Sequence, residues 1–275
     1  MNLSVSCRIA EGFLSKEEAI MSLKELADLA VSAGFQSICM RASQVGIHSS
    51  PDQVNRARKI LDSRRLGVSM ISGDFDIVYN NERGPNCLRN ITPYLDLAEQ
   101  LGSSMIRVCL KEQDDIAHAQ AAADEARERG LILVHQCHIG GIFETVNQII
   151  ESLEAIDRAN FGLIYEAANL EQCQQDYGPE TIRRLAPRIR NVYLQNQRLD
   201  AGAAVTLNTR CAGPVSFDII EIPEEGGIDF ASVFEGLKQV GYEEPITVHQ
   251  SAPEDGVTSP LESAVQTADF LRGLG

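Results

Sequence analysis

The chain has 275 residues, of which 44% are apolar and 23% are charged, a balance that is ordinary for a globular protein. Its formal net charge is −15, and it has no Lys/Arg cluster that could neutralise phosphates, so nucleic acid is excluded as a partner. No apolar run approaches the roughly 20 residues of a membrane span, so we expect no membrane association. The seven cysteines form no Cys-x-x-Cys pair, which indicates reduced thiols in a cytoplasmic protein.

Short runs rich in Val, Ile and Leu alternate along the chain with longer segments of helical period. The runs predict eight strands, near residues 3–9, 36–41, 67–73, 104–109, 131–138, 161–166, 190–195 and 245–249. Helices fill the intervals, and we expect the first to begin at a capping box formed by Ser15 and Glu18 and to end at Gly34. Residues 197–227 are the longest irregular segment, and after the seventh strand such a loop would lie over the active-site face.

Eight βα units with nearly continuous apolar strands predict a parallel sheet covered by helices. An open doubly wound sheet also fits this pattern, but no Gly-x-Gly-x-x-Gly follows the first strand, which disfavours a dinucleotide fold. We therefore predict an α/β protein, a (β/α)8 TIM barrel whose single domain spans residues 1–275. No organic cofactor is expected.

In a barrel of this kind, the functional groups stand at the last residues of the strands. Gln136 and His138 share one face of the fifth strand because side chains alternate. Glu166 closes an otherwise apolar sixth strand, where an ionised carboxylate is costly unless a cation, a donor or a metal meets it. His249 ends the eighth strand. A structural salt bridge for Glu166 and a backbone hydrogen bond for His249 are the alternatives. Three more polar candidates come from the fourth and seventh strands: Arg107, Tyr193 and Gln195.

Several segments of the chain resemble the xylose isomerase-like TIM barrels, the sugar phosphate isomerase/epimerase group that includes inosose dehydratases and a DNA-repair endonuclease branch. The segments are YLDLAEQLGSSMIRV, LILVHQCHIGG, FGLIYEAANL and GGIDFASVFEGLKQVGYEEPITVH. The resemblance covers nearly the whole chain and implies the barrel fold.

The resemblance also implies a metal site, because members of that family typically hold one divalent metal with Glu, Asp, His and Glu from the fifth to eighth strands. The corresponding positions of this chain are Gln136, Glu166, the Tyr193-Leu194-Gln195-Asn196 stretch, and His249. Only one carboxylate is therefore retained. Glu166, His249 and the carbonyl oxygen of Gln136 remain as candidate ligands for one divalent ion, Mn²⁺, Mg²⁺ or Zn²⁺.

By this resemblance the chain is an isomerase, an epimerase or a dehydratase-type lyase that removes a proton next to the carbonyl of a sugar, polyol or keto-sugar. Glu166 and His249 are the candidate catalytic residues, and His249 is the better base because its unperturbed pKa is about 6.5. The substrate would contact six residues: Gln136, His138, Arg107, Tyr193, Gln195 and Asn196.

Two other functions are weighed against this one. A non-catalytic carbohydrate-binding barrel that has lost the family metal site is the main alternative, and the neutral residues Gln136, Tyr193 and Gln195 favour it. A DNA-repair endonuclease would need several zinc ligands and a basic face, and the chain lacks both. The resemblance is also compatible with a homo-oligomer, since exposed barrel helices often mediate dimers in this family.

Overall fold

Parallel strands at the centre of the molecule close into a barrel. The computed structural model describes residues 1–12, 15–203, 205–253 and 256–275. Its strands are β1 (Leu3–Ser6), β2 (Ser37–Arg41), β3 (Gly67–Ser72), β4 (Met105–Arg107), β5 (Ile132–Gln136), β6 (Phe161–Glu166), β7 (Ile189–Leu194), β8 (Gln197–Leu199), β9 (Val205–Thr209), β10 (Gly213–Ile219) and β11 (Ile246–Val248). The first seven and β11 form the ring, with β11 pairing to both β1 and β7. The predicted TIM barrel and its eight strands are confirmed.

Helices cover the outside of this ring. They are α1 (Leu23–Ala33), α2 (Pro51–Asp62), α3 (Phe75–Tyr79), α4 (Asn86–Arg89), α5 (Thr92–Leu101), α6 (Asp115–Glu128), α7 (Val146–Ile156), α8 (Ala167–Gln172), α9 (Pro179–Leu185), α10 (Phe230–Gln239) and α11 (Pro260–Leu274). Within the described ranges, none of these helices has the length and apolar character needed to traverse a bilayer.

Two apolar clusters hold the fold together. The larger one lies between the strands and the helices, where helix stripes such as Leu26 and Ala30 of α1 are fully buried. The smaller one fills the interior of the barrel with six side chains: Cys39, Met70, Met105, Val134, Ile164 and Tyr193. Because this plug closes the barrel from within, open space for a ligand begins only above it, where the strands end.

The first helix begins later than the sequence predicted. Its capping box is formed by Ser22 and Glu25, not by Ser15 and Glu18, and α1 starts at Leu23. Both Ser-x-x-Glu pairs fit the capping pattern, but the earlier one lies in a segment that Glu11 and Ala19 tie into an antiparallel bridge. The predicted end is confirmed, because Gly34 adopts a left-handed φ of 78°.

The prediction that the segment 197–227 is irregular is wrong, because β8, β9 and β10 form an antiparallel sheet there, in the order β8-β10-β9. Val205 and Leu207 alternate with polar residues along β9, a pattern typical of a strand, although most of β9 is exposed. The carboxylate of Glu144 holds the β9–β10 turn, accepting from the backbone N–H groups of Arg210 and Cys211 at 2.8 and 2.7 Å. The sheet covers the C-terminal end of the barrel, as expected for this segment, and contributes Leu207 and Phe217 to the cavity there.

Candidate active site

A cavity of about 540 Å³ opens at the C-terminal ends of the barrel strands. Six residues named from the sequence line it together: Arg107, Gln136, His138, Glu166, Gln195 and His249. Each of them ends a barrel strand or closely follows one, because parallel strands present their carboxyl ends at one rim. The three residues on which the predicted chemistry depends, Gln136, Glu166 and His249, thus face the same space.

Glu166 is the carboxylate of this cavity, and only 2% of it is exposed. Its Oε2 atom accepts hydrogen bonds from Nε2 of Gln136 and, at 3.0 Å, from Nδ2 of Asn169. Asn169 also donates to the carbonyl of Cys137 at 2.7 Å, which fixes its amide in place. Among the described residues, no Lys or Arg forms an ion pair with Glu166, and its Oε1 atom accepts no hydrogen bond. The carboxylate is therefore held on one side and unengaged on the other.

The surroundings of Glu166 shift its pKa towards neutral pH. Burial raises the pKa of Glu166 to about 7, against the opposing effects of the Gln136 hydrogen bond and of the positive charges on Arg107 and Lys16. A carboxyl group with this pKa is present in both its acid and its base form at physiological pH, which is what a group that moves protons requires.

His249 has both ring nitrogens directed at other side chains. Nδ1 lies 3.0 Å from Oγ of Ser6, and Nε2 lies 3.5 Å from Nη1 of Arg41. Since a guanidinium only donates, Nε2 is the acceptor and the proton of the neutral ring is assigned to Nδ1. Burial, followed by the charges of Arg41 and Arg107, holds the pKa of His249 well below its usual value. Its ring also stacks on Tyr193 at 3.9 Å. This geometry favours Glu166 over His249 as the proton carrier.

Two of the predicted substrate contacts, Tyr193 and Asn196, do not reach the cavity. Alternation along β7 turns Tyr193 into the barrel interior, where its hydroxyl lies 3.3 Å from Sγ of Cys39. The Asn196 amide donates to three carbonyls, of which the nearest is that of Glu221 at 2.9 Å, and it accepts from the backbone N–H of Ile228. Both side chains have their hydrogen-bond partners within the fold, and a substrate contact for either one stays a prediction that the cavity lining does not support.

Three basic residues that were not predicted also line the cavity: Arg8, Lys16 and Lys111. Arg8 lies two residues after the end of β1, so the strand-end rule could have found it. Lys16 and Lys111 lie in loops, where no periodic signal in the sequence marks them. Burial, followed by the charges of Arg41 and Arg8, lowers the pKa of Lys16 to about 8. Among the described residues, the cavity lining thus combines a single carboxylate with a concentration of positive charge.

The residues at this rim do not fit the divalent metal that the family resemblance implies. The Gln136 amide directs its NH₂ group at Glu166, and the lone pair of His249 Nε2 faces a guanidinium. One carboxylate among several cations is a poor donor set for Mg²⁺ or Mn²⁺, which prefer anionic oxygen ligands. The group of described residues whose ligand atoms do converge is Glu144, Cys173 and Cys211, outside the cavity. The Glu144 oxygens there already accept backbone N–H groups.

Comparison with known proteins places this geometry in context. A family model described as "Xylose isomerase-like TIM barrel" matches residues 27–274. Over 150 residues, 54% of this chain, the sequence is 27% identical to an inosose dehydratase of Geobacillus thermodenitrificans, of which 50% is covered. The chain spans about half the length of the curated relatives that it matches.

Solved structures show the same fold along almost the entire chain. A probable 3-DHS dehydratase of Bacillus anthracis superposes with a TM-score of 0.75 at 13% identity, covering 99% of each chain. A D-psicose 3-epimerase of Clostridium cellulolyticum, solved with D-tagatose, gives 0.72 at 13% identity and covers 100% of this chain and 99% of that one. A xylose isomerase-like protein of Mycobacterium smegmatis, crystallised with magnesium, gives 0.70 at 15% identity, with 92% and 87% covered. At these identities the likeness establishes the fold.

Proposed function

The chain belongs to the xylose isomerase-like TIM barrel family, and from that premise we propose that it is an enzyme that transfers a proton next to the carbonyl of a polyhydroxylated substrate. The reaction class would be isomerisation, epimerisation or elimination of water. Names of relatives point in the same direction, since they include inosose dehydratase, a probable 3-DHS dehydratase and a sugar epimerase.

The observation that carries this proposal is the position of the Glu166 carboxylate. Its Oε2 atom is fixed by two amides, while Oε1 is unengaged in a cavity of about 540 Å³. A base in this position removes the proton from a carbon beside a carbonyl, and the electron pair of the C–H bond moves into an enol or enolate. In an isomerisation the protonated Glu166 returns the proton to the former carbonyl carbon, while the hydroxyl proton of the deprotonated carbon passes to the former carbonyl oxygen. In an elimination Glu166 gives the proton to the hydroxyl of the β carbon, which departs as water as the electron pair of the enolate forms a carbon–carbon double bond.

The lining of the cavity favours isomerisation or elimination over epimerisation. Inversion at a carbon needs a second proton carrier on the opposite face, and the described lining contains no carboxylate besides Glu166. His249 stays a predicted second carrier, with its Nε2 lone pair directed at Arg41. Gln195 and His138 stand where they can form hydrogen bonds with substrate hydroxyls. No step is assigned to a metal, because the donor set does not suit one.

Proton exchange with solvent tests the proposal directly. The protein is incubated in D₂O with a panel of inososes, ketohexoses and keto acids, and incorporation of deuterium beside the carbonyl is followed by NMR. We expect exchange and turnover with a subset of the panel, and loss of both in Glu166→Gln. The matched control is Glu235→Gln, an exposed carboxylate of α10. Saturable binding without exchange by the wild-type protein would instead support the alternative, a non-catalytic carbohydrate-binding barrel.

A further inference from the structure

We infer that the substrate of this cavity carries a permanent negative charge, a carboxylate or a phosphate, which is bound by Lys16, Arg107 and Lys111. The inference rests on the proposed function, because it names the substrate class of the same site.

The first argument is the charge of the cavity. The part of the lining that the structure describes holds one carboxylate, Glu166, and four basic side chains, although the whole chain carries a net charge of −15: Arg8, Lys16, Arg107 and Lys111. Like charges in a partly desolvated space repel one another, and burial, followed by the positive charges of neighbouring basic residues, lowers the pKa values of Lys16 and His249. Such a concentration of positive charge becomes favourable when an anion occupies the space between the charges.

The second argument is the state of Arg107, which is 1% exposed and lines the cavity. Its Nε and Nη1 atoms are buried and have no hydrogen-bond partner among the described residues. An unpaired buried guanidinium is costly, and the planar fork of donors matches the oxygens of a carboxylate or a phosphate.

Lys16 and Lys111 are likewise basic groups of the cavity lining without an acidic partner among the described residues. Lys111 is 6% exposed, and its Nζ atom donates to the carbonyl of Gly140 at 3.2 Å. Nζ of the half-buried Lys16 lies 5.7 Å from the centre of the Tyr79 ring. Within the described ranges, neither ammonium group has a carboxylate within ion-pair distance. Both ammonium groups therefore keep donors for a ligand.

Arg41 provides an internal comparison, because it is equally buried at the same end of the barrel. Its Nε and Nη2 atoms donate to the two carboxylate oxygens of Glu11 at 2.8 and 2.9 Å. The structural cation Arg41 is thus neutralised by a carboxylate of the protein itself. Arg107, Lys16 and Lys111 have no such carboxylate among the described residues. The charge that complements them has to come from the ligand.

Pairs of molecules that differ in charge test this inference. Binding of D-gluconate is compared with binding of D-glucitol, and glucose 6-phosphate with glucose, by calorimetry at low ionic strength. We expect the charged member of at least one pair to bind about tenfold more tightly or better, with a preference that weakens as NaCl is added. The tighter of the two anions identifies which group, carboxylate or phosphate, the site takes.

Variants localise the effect. Lys16→Gln and Lys111→Gln should each reduce the preference for the anion severalfold, while Lys59→Gln, an exposed lysine of α2, should leave it unchanged. Arg107→Met should abolish the preference, and the two lysine variants keep the test decisive if this buried replacement does not fold. Equal binding of charged and neutral partners, binding of neither anion, or a preference that survives both lysine replacements would overturn the inference.

The same experiment separates this inference from the proposed function. Glu166→Gln should keep the preference for the anion while losing proton exchange. If the wild-type protein exchanged protons of neutral sugars and bound anions no better, the inference would fail and the proposed function would stand. If the protein preferred the anion but exchanged no protons, the inference about the ligand would stand and the proposed function would fail.

Discussion

The two ends of the barrel differ in chemistry more than in size. At the N-terminal end of the strands, a cavity of about 670 Å³ lies among residues such as Met1, Phe234 and Leu237. At this end Gln36 accepts from the backbone N–H of Leu3 at 2.8 Å and donates to a carbonyl at the same distance, while Ser37 and Asn160 each keep one buried oxygen without a hydrogen-bond partner among the described residues. The cavity at the C-terminal end is smaller, about 540 Å³, yet it is lined by Arg107, a buried cation whose guanidinium has two such unpaired atoms.

This contrast indicates that an unpaired buried charge identifies the candidate site better than volume does. Arg107 and Gln136 each keep a buried polar atom without a hydrogen-bond partner among the described residues, and both line the C-terminal cavity. Stability alone would remove such atoms, since each one costs about 1–3 kcal/mol. An unpaired guanidinium costs more than the unpaired oxygens of Ser37 and Asn160 at the other end, so Arg107 indicates that the C-terminal end is arranged for a ligand.

The largest expected effect comes from Glu166→Gln. Loss of the only carboxylate in the described lining should lower kcat by about 10²- to 10⁴-fold, the usual contribution of general acid–base catalysis. The thermal unfolding temperature should not fall, because a buried carboxyl with a raised pKa is costly in its charged form. Steady-state kinetics and calorimetry measure both. Activity within a few-fold of the wild type would remove Glu166 from the mechanism.

The pH dependence of kcat/KM is the next largest effect. Below a pKa of about 7 for Glu166, kcat/KM should fall about tenfold per pH unit, because the base becomes protonated. Above a pKa of about 8 for Lys16, it should fall again, because an anion-binding charge is lost. The positive charge of Arg107 lowers the pKa of both groups. Lys16→Gln should remove only the fall of kcat/KM on the alkaline side. A kcat/KM that falls neither below the pKa of Glu166 nor above that of Lys16 would contradict both assignments.

Two glutamines at opposite ends of the barrel sharpen the comparison. Gln136→Leu removes a donor to Glu166, and we expect kcat to fall about 10- to 100-fold with little loss of stability, since one atom of this amide is unsatisfied already. Gln36→Leu leaves the buried N–H of Leu3 unpaired and should lower the free energy of unfolding by about 1–3 kcal/mol, with kcat unchanged. Denaturant titration measures the stability of both variants, and steady-state kinetics measures their kcat. Equal changes of stability and of kcat in the two variants would contradict the distinction between the two ends.

The smallest effect is expected from chelation. Because the rim presents one carboxylate among cations, dialysis against EDTA should change kcat by less than a factor of about two. Added Mg²⁺ or Mn²⁺ should likewise have no effect. An EDTA-induced loss that one of these ions restores would show that the rim binds a metal in spite of its donor set.

The barrel could be predicted from the sequence because strand periodicity is a local signal. Runs such as 161–166 are apolar throughout, and the glycine after α1 ends that helix where predicted. Local signals fail where two segments carry the same pattern. Ser15 and Ser22 both precede a glutamate by three residues, and only the tertiary bridge between Glu11 and Ala19 decides between them.

The candidate site was predictable only in part for the same reason. Glu166 and Gln136 end their strands, so the strand-end rule places them. Lys16 and Lys111 come together through folding of loops nearly a hundred positions apart, and a chain of net charge −15 gives no hint of a cationic cavity. The sequence also cannot show that Tyr193 lies in the barrel interior, below the cavity. The depth of a side chain inside the barrel depends on the register between neighbouring strands.

The small sheet of β8, β9 and β10 forms the ceiling of the cavity, and it is one continuous insert between β7 and α10. Its β9–β10 turn is held by Glu144, whereas Glu166 is fixed by Gln136 and Asn169 within the barrel itself. Changes of length or sequence in the insert can therefore alter which molecules fit without shifting the base. Acceptance of substrates and transfer of protons can evolve separately in this molecule.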